Sequence, residues 1–166
     1  MDSEGPDEVD RVVEAWATAR PDLDLAPMHV LSRVTRLARH LDKDRRNAFA
    51  AHGLESWEFD VLAALRRAGT PYQLSPGALV RETGVTSGTM TNRVDRLTAR
   101  GLVRRSSHPA DRRGILVTLT GEGLAAVDAA IVSLLAAERR ILGDLSPADS
   151  EQLANLLRAV TRRYVQ

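Results

Sequence analysis

The chain has 166 residues, with 23 basic residues against 22 acids and no cysteine; this predicts one domain with extensions and excludes disulfides, thiolate zinc sites, iron–sulfur clusters and cysteine nucleophiles. No apolar run approaches the roughly 18 residues of a membrane helix, and the N-terminus MDSEGPDEVD is acidic where a signal peptide is basic and then apolar, so a soluble, cytoplasmic protein with no membrane partner is expected. Six aromatic residues are few beside the plentiful Ala, Leu, Val and Arg, which favours helices over a β-sandwich.

In chain order, Val9, Val12, Val13 and Trp16 fall at helical spacing and predict a short helix over 7–20, ended by Pro21. Pro27 opens a second helix reaching Gly53, with Met28, Leu31, Val34, Ala38 and Leu41 on one stripe. Ser56 caps a third, with Phe59, Leu62 and Leu65 inward and Gly69 at its end; 69–74 is expected to be a loop. Ser75-Pro76 starts a short helix that stops at Gly84, and Thr86 or Ser87 caps the next, which runs to Gly101. Two helices joined by a tight Gly-containing turn form a helix-turn-helix. Residues 102–105, Leu-Val-Arg-Arg, and 115–119 are rich in apolar and β-branched residues and flank SSHPADRRG, which predicts a β-hairpin with a long basic tip, the wing of a winged helix. Thr120 caps a helix to about Leu142, and Ser146-Pro147 starts the last one, striped by Leu153, Leu156, Leu157, Val160 and Tyr164, with Asp149 in its first turn. The fold class is mainly α with a small β-hairpin wing.

Charge is unevenly distributed. Residues 81–120 carry eight arginines against three acids, a net of +5, whereas residues 1–24 come to −6. A basic island in an otherwise acidic chain points to a polyanion partner, with a solvated charged face as the other reading. Residues 87–100 on a helical wheel put Met90, Val94 and Leu97 on a core stripe and Gly88, Thr91, Asn92, Asp95 and Arg96 opposite. Small residues at a helix N-terminus let it sit deep in a major groove, Thr and Asn bond base edges, and the helix terminus offers amide donors to phosphate. Arg112 and Arg113 at the wing suit the minor groove, and Asp111 either orients an arginine or simply forms the turn. The candidate double-stranded DNA contacts are therefore Ser87, Gly88, Thr89, Thr91, Asn92, Arg93, Arg96, Asp111, Arg112 and Arg113. His29, His40, His52 and His108 have no metal-ligand spacing, Ser107, His108 and Asp111 share a wing tip rather than a pocket, and no phosphate-binding Gly pattern occurs. Neither an enzyme nor a metal or cofactor site is expected; the alternative from another class is a winged helix that binds proteins.

DRRGILVTLT resembles the D-x-R-x(5)-L-T wing motif of the MarR family of winged-helix transcriptional regulators, here Asp111, Arg113, Leu119 and Thr120, and TSGTMTNRVDRLTARGLVRR is similar to that family's recognition helix and first wing strand. The resemblance covers roughly residues 27–164. It implies a homodimer on a pseudo-palindromic operator, acting as a repressor, with residues 27–53 and 120–166 as a helical dimerisation region, 54–119 as the DNA-binding lobe and 1–26 as an N-terminal extension. More apolar stripe on 27–53, 120–142 and 146–164 than a small winged helix can bury agrees with this. The added helix with its Trp, followed by PDLDLAPM and EFDVLAALRRAG, is similar to the urate-responsive subclass of the family. That resemblance implies a ligand site for a urate-like purine or other organic anion at Trp16, Asp60, Arg67 and Arg105, with Arg104 as the substitute if the strand face is the other one. Trp16 as core and Asp60–Arg67 as an ion pair are the alternatives, as is DNA binding without a ligand response.

Overall fold

The computed structural model describes residues 5–108 and 111–164, and the side chains of residues 108 and 111–113 lie outside the described set. Among the described residues there are seven helices and three strands. The chain divides into two compact units, Met1–Asp44 and Arg45–Gln166. None of the described helices is long and apolar enough to cross a membrane.

The first unit holds α1 (Glu8–Ala19) and most of α2 (Ala26–Ala50). Asp7 caps α1 by accepting from the Val9 and Asp10 amides at 2.7 and 3.0 Å, and Asp10 returns the bond to the Asp7 amide at 2.9 Å. Arg33 of α2 donates to both carboxylates, at 2.9 Å to Asp7 and 2.7 Å to Asp10, and Arg36 pairs with Glu8. Of the expected α1 stripe, Val9 and Val13 are buried, while Val12 and Trp16 are exposed. On α2, Leu31 and Val34 are exposed and only Ala48 and Phe49 are buried, both beyond the unit boundary.

The second unit contains α3 (Ser56–Arg67), β1 (Gln73–Leu74), α4 (Pro76–Thr83), α5 (Ser87–Ala99), β2 (Val103–His108), β3 (Asp111–Leu119), α6 (Gly121–Ile141) and α7 (Pro147–Thr161). Its core gathers Phe49, Leu62, Leu65, Leu79, Met90, Leu97, Val103, Val117 and Val127 around α3, with Phe49 and Phe59 stacked at 4.0 Å between ring centroids. Ser75, Thr86, Thr120 and Ser146 cap their helices as their side chains predict. Three expectations change. The α3 N-cap is Glu55 rather than Ser56, because Glu58 folds back to accept the Glu55 amide at 2.9 Å. Part of the expected 69–74 loop is strand: Gln73 and Leu74 pair with Thr118 and Val117, giving the antiparallel order β1-β3-β2. Two residues carry no legible periodicity, and this strand exists only through its partner. The wing strands also run further than 105 and start earlier than 115, since cross-strand bonding through a register shift at Ser107/His108 takes in most of SSHPADRRG. α7 buries no residue at all.

Candidate nucleic-acid interface

The turn that aims α5 is made by Gly84, whose φ of +68° is left-handed and whose amide caps Val80 O at 2.9 Å. Thr86 then starts α5 by accepting the Thr89 amide at 3.3 Å, its hydroxyl 2.9 Å from that of Thr89. Met90, Val94 and Leu97 are essentially fully buried and set the rotation of the helix. Ser87, Gly88, Thr89, Thr91, Asn92 and Arg96 are consequently exposed, and Arg93 is half-buried. Open space surrounds Gly88 where a Cβ would stand. Thr91 returns its hydroxyl to Ser87 O at 3.0 Å, while the Asn92 side chain makes no hydrogen bond among the described residues and is free to donate and accept outward.

The far end of α5 is fixed by two polar anchors. Arg100 donates to the buried Glu58 carboxylate on α3 and, at 2.8 Å, to Gly53 O. A carboxylate only 1 % exposed is tolerable because its Oε2 accepts from both the Glu55 amide and Arg100, which also pairs its charge. Thr120 donates to Gly101 O at 2.7 Å while capping α6. Recognition-face residues thus sit on a helix held at both ends.

Two residues absent from the expected set join this face. The Trp57 ring lies under both arginines, with the exposed Arg96 guanidinium 4.7 Å and that of the half-buried Arg93 5.5 Å from the ring centre. Glu55 accepts from Arg96 at 2.9 Å and from the Trp57 indole at 2.8 Å. Trp57, Gly88, Thr89, Asn92, Arg93 and Arg96 line an open hollow of about 500 Å³. No local sequence signal links positions more than thirty residues apart, so the wheel of residues 87–100 could not include them.

At the wing, Arg105 stands opposite Val117 on the sheet face that packs inward, and Arg104 stands opposite Thr118 on the other face. Arg105 reaches α5, pairing with Asp95 at 2.7 Å and donating to Thr91 O at 3.4 Å. Asp111, Arg112 and Arg113 lie on β3 by their backbones, and their side chains fall outside the described residues.

Of the candidate ligand residues, Asp60 is exposed on α3 and has no ion partner among the described residues. Arg67 pairs with Glu82 of α4 at 3.6 Å, not with Asp60. Its neighbour Arg66 bonds Asp128 of α6 at 2.8 Å, which raises the arginine's pKa further, and covers the Tyr72 ring at 5.0 Å. Trp16 belongs to the first unit and is 48 % exposed.

A family model described as MarR family matches residues 52–114. The chain is 36% identical over 158 residues, 95% of both chains, to the HTH-type transcriptional regulator PecS of Dickeya dadantii (strain 3937). Among solved structures it resembles a mutant Escherichia coli MarR complexed with operator DNA, with a TM-score of 0.67 and 26% identity over 83% of this chain and 99% of that one. It also resembles Bordetella bronchiseptica BpsR, whose DNA binding is described as regulated by 6-hydroxynicotinic acid, at a TM-score of 0.59 and 32% identity over 78% of this chain and 98% of that one. The match to PecS extends over nearly the whole of both proteins, and together with the helix-turn-helix and hairpin it places this chain in the MarR family of DNA-binding, winged helix-turn-helix transcription regulators.

Proposed function

We propose that the protein is a homodimeric repressor that reads a pseudo-palindromic operator with α5 in the major groove and the wing beside it. The observation that carries this reading is the division of α5 into a fully buried stripe and an exposed face of Gly88, Thr91, Asn92 and Arg96, with half-buried Arg93 at its edge. Asn92 and Thr91 serve base edges, Arg93 and Arg96 serve phosphate or guanine, and Ser87, Gly88 and Thr89 present the helix N-terminus to the backbone. Asp111, Arg112 and Arg113 are assigned to the wing contact. Residues 27–53 and 120–166 are assigned to dimerisation; exposed Val30, Leu31 and Val34 on α2, Val132 and Leu135 on α6, and Leu156 and Val160 on α7 support this, as does an α7 with no buried residue. The test is fluorescence anisotropy on the DNA upstream of the protein's own gene and on a random duplex, at two salt concentrations. Preference for the upstream duplex with a steep salt dependence is expected; equal, weak binding to both would remove the sequence-specific reading for that DNA.

A small organic anion, a urate-like purine or a related carboxylate, is proposed to release the DNA through Asp60, Arg67 and Arg105 of the second unit; Trp16 is assigned to the ligand by the family resemblance alone. The named effector of BpsR supports an aromatic anion as the ligand class. The partners of the two arginines suggest how the signal would travel: an anion must compete with Glu82 of α4 for Arg67 and with Asp95 of α5 for Arg105. Taking Arg105 from Asp95 removes a tether of the recognition helix, and a ligand that binds the untethered state better shifts the population toward it. Titrating urate into the protein–DNA complex tests this, with release expected in the wild type and lost in Arg67→Ala; no release by urate or by 6-hydroxynicotinate would leave DNA binding without this response.

A further inference from the structure

The Trp57–Glu55 pair lies outside the helix-turn-helix yet touches two of its outward-facing arginines. We propose that Trp57, held by Glu55, positions Arg93 and Arg96 for sequence-specific contact with DNA; this deepens the DNA-binding reading above and rests on it.

Three contacts form a closed network. The indole N–H donates to one oxygen of Glu55 at 2.8 Å, the other oxygen accepts from Arg96 at 2.9 Å, and the Arg96 guanidinium lies 4.7 Å from the centre of the same indole. Arg93 shares the ring at 5.5 Å. Both distances are inside the roughly 6 Å range of cation–π attraction. One ring therefore orients two guanidiniums that would otherwise sample many rotamers. A guanidinium held over a ring keeps in-plane N–H groups for outward donation; in Arg96 one arm, Nη2, is taken by Glu55 and the remaining N–H groups are left for phosphate or guanine.

Glu55 caps α3 through its backbone, and its side chain takes a second role here. A carboxylate beside a DNA-facing arginine weakens attraction to a polyanion, and the network offsets this by fixing where the guanidinium points. Here it closes the network by binding the indole and the guanidinium at once. The hollow that this network borders is also lined by Gly88, Thr89 and Asn92, the residues assigned to the groove. The core of α3 does not depend on the outer face of the indole, since Phe59, Leu62 and Leu65 supply its buried contacts and Trp57 remains only partly buried.

The experiment compares wild type, Trp57→Phe and Trp57→Leu, as full chains, for anisotropy on the upstream duplex and a random duplex. Trp57→Leu is expected to lose roughly tenfold in preference for the upstream DNA, the scale of a cation–π contact converted to affinity. Trp57→Phe, which keeps a ring face, is expected to retain most of the preference. Equal preference in Trp57→Leu and wild type overturns the proposal, as does equal loss in the Phe and Leu variants. Wild type that shows no preference removes the DNA reading and this proposal with it, and is seen before any variant is measured. A second readout avoids dependence on the folding of the Leu variant: in Trp16→Phe, Trp57 is the single remaining tryptophan. Its emission is expected to shift when the upstream duplex sets phosphate or bases against the guanidiniums held over the ring, and unchanged emission at saturation overturns the proposal.

Discussion

Gly123 shows how one missing methyl group can fix a domain. A Cβ built there would lie 2.0 Å from the Leu102 carbonyl oxygen, which is backbone and cannot rotate away. The first turn of α6 packs directly on the chain leaving α5, and Thr120 ties the same junction by donating to Gly101 O. Gly123→Ala is expected to lower stability by about 3 kcal/mol, the upper part of the range for overpacking, read as a fall in the urea midpoint at unchanged m. No motif in the sequence marked Gly123, because its neighbour comes from another element; Thr120, by contrast, was legible as a cap. Asn92 belongs to the opposite class, exposed and with a side chain that makes no hydrogen bond among the described residues. Asn92→Ala is expected to reduce discrimination between operator and random DNA by roughly tenfold, within the ~1–3 kcal/mol of a base-edge contact, while leaving the melting temperature near wild type; equal losses on both duplexes would remove base readout from this residue.

Among the elements, α1 rests on charges rather than on a large apolar face. Asp7 is held below its ordinary value of 3.8, first by the Asp10 amide and then by Arg33, and Glu8 is held below 4.5 chiefly by its hydrogen bond with Arg36. A depressed carboxylate stabilises the fold fully above its unfolded pKa, and that contribution is lost as pH falls through the lowered folded value. α1 is therefore expected to keep constant amide protection from pH 7 to about 5 and to fray as pH falls through and below about 4, and hydrogen exchange across Glu8–Ala19 checks this. Protection that stays flat to pH 3 would show that these carboxylates do not hold the helix. Helix starts were readable at Ser75, Thr86, Thr120 and Ser146, where a hydroxyl stands before an apolar period, but not at α3, which Glu55 caps in place of Ser56. Strand limits were not, because β1 and the outer halves of β2 and β3 are created by pairing rather than by composition.

For the whole molecule, the apolar stripes of α2 and α7 are large but uncovered in the protomer. Leu156 is 59 % and Val160 50 % exposed on a helix with no buried residue, an exposure that the proposed dimer interface would cover. Leu156→Glu with Val160→Glu is expected to leave the winged-helix core folded, shift sedimentation from dimer to monomer and weaken operator binding more than tenfold by removing the second half-site; an unchanged dimer would exclude α7 from the interface. The sequence by itself determined the order of helices, the buried stripe of α5, the basic hairpin and the family motif, because these depend on periodicity, capping and spacing within a few turns of chain. Only the tertiary structure decided that Trp57 and Glu55 meet Arg93 and Arg96, that Arg67 and Arg105 pair with Glu82 and Asp95, and that Glu58 is buried against Arg100. Each of these is a contact between different elements, and a side chain's choice among several nearby charges is set by packing that no local pattern records.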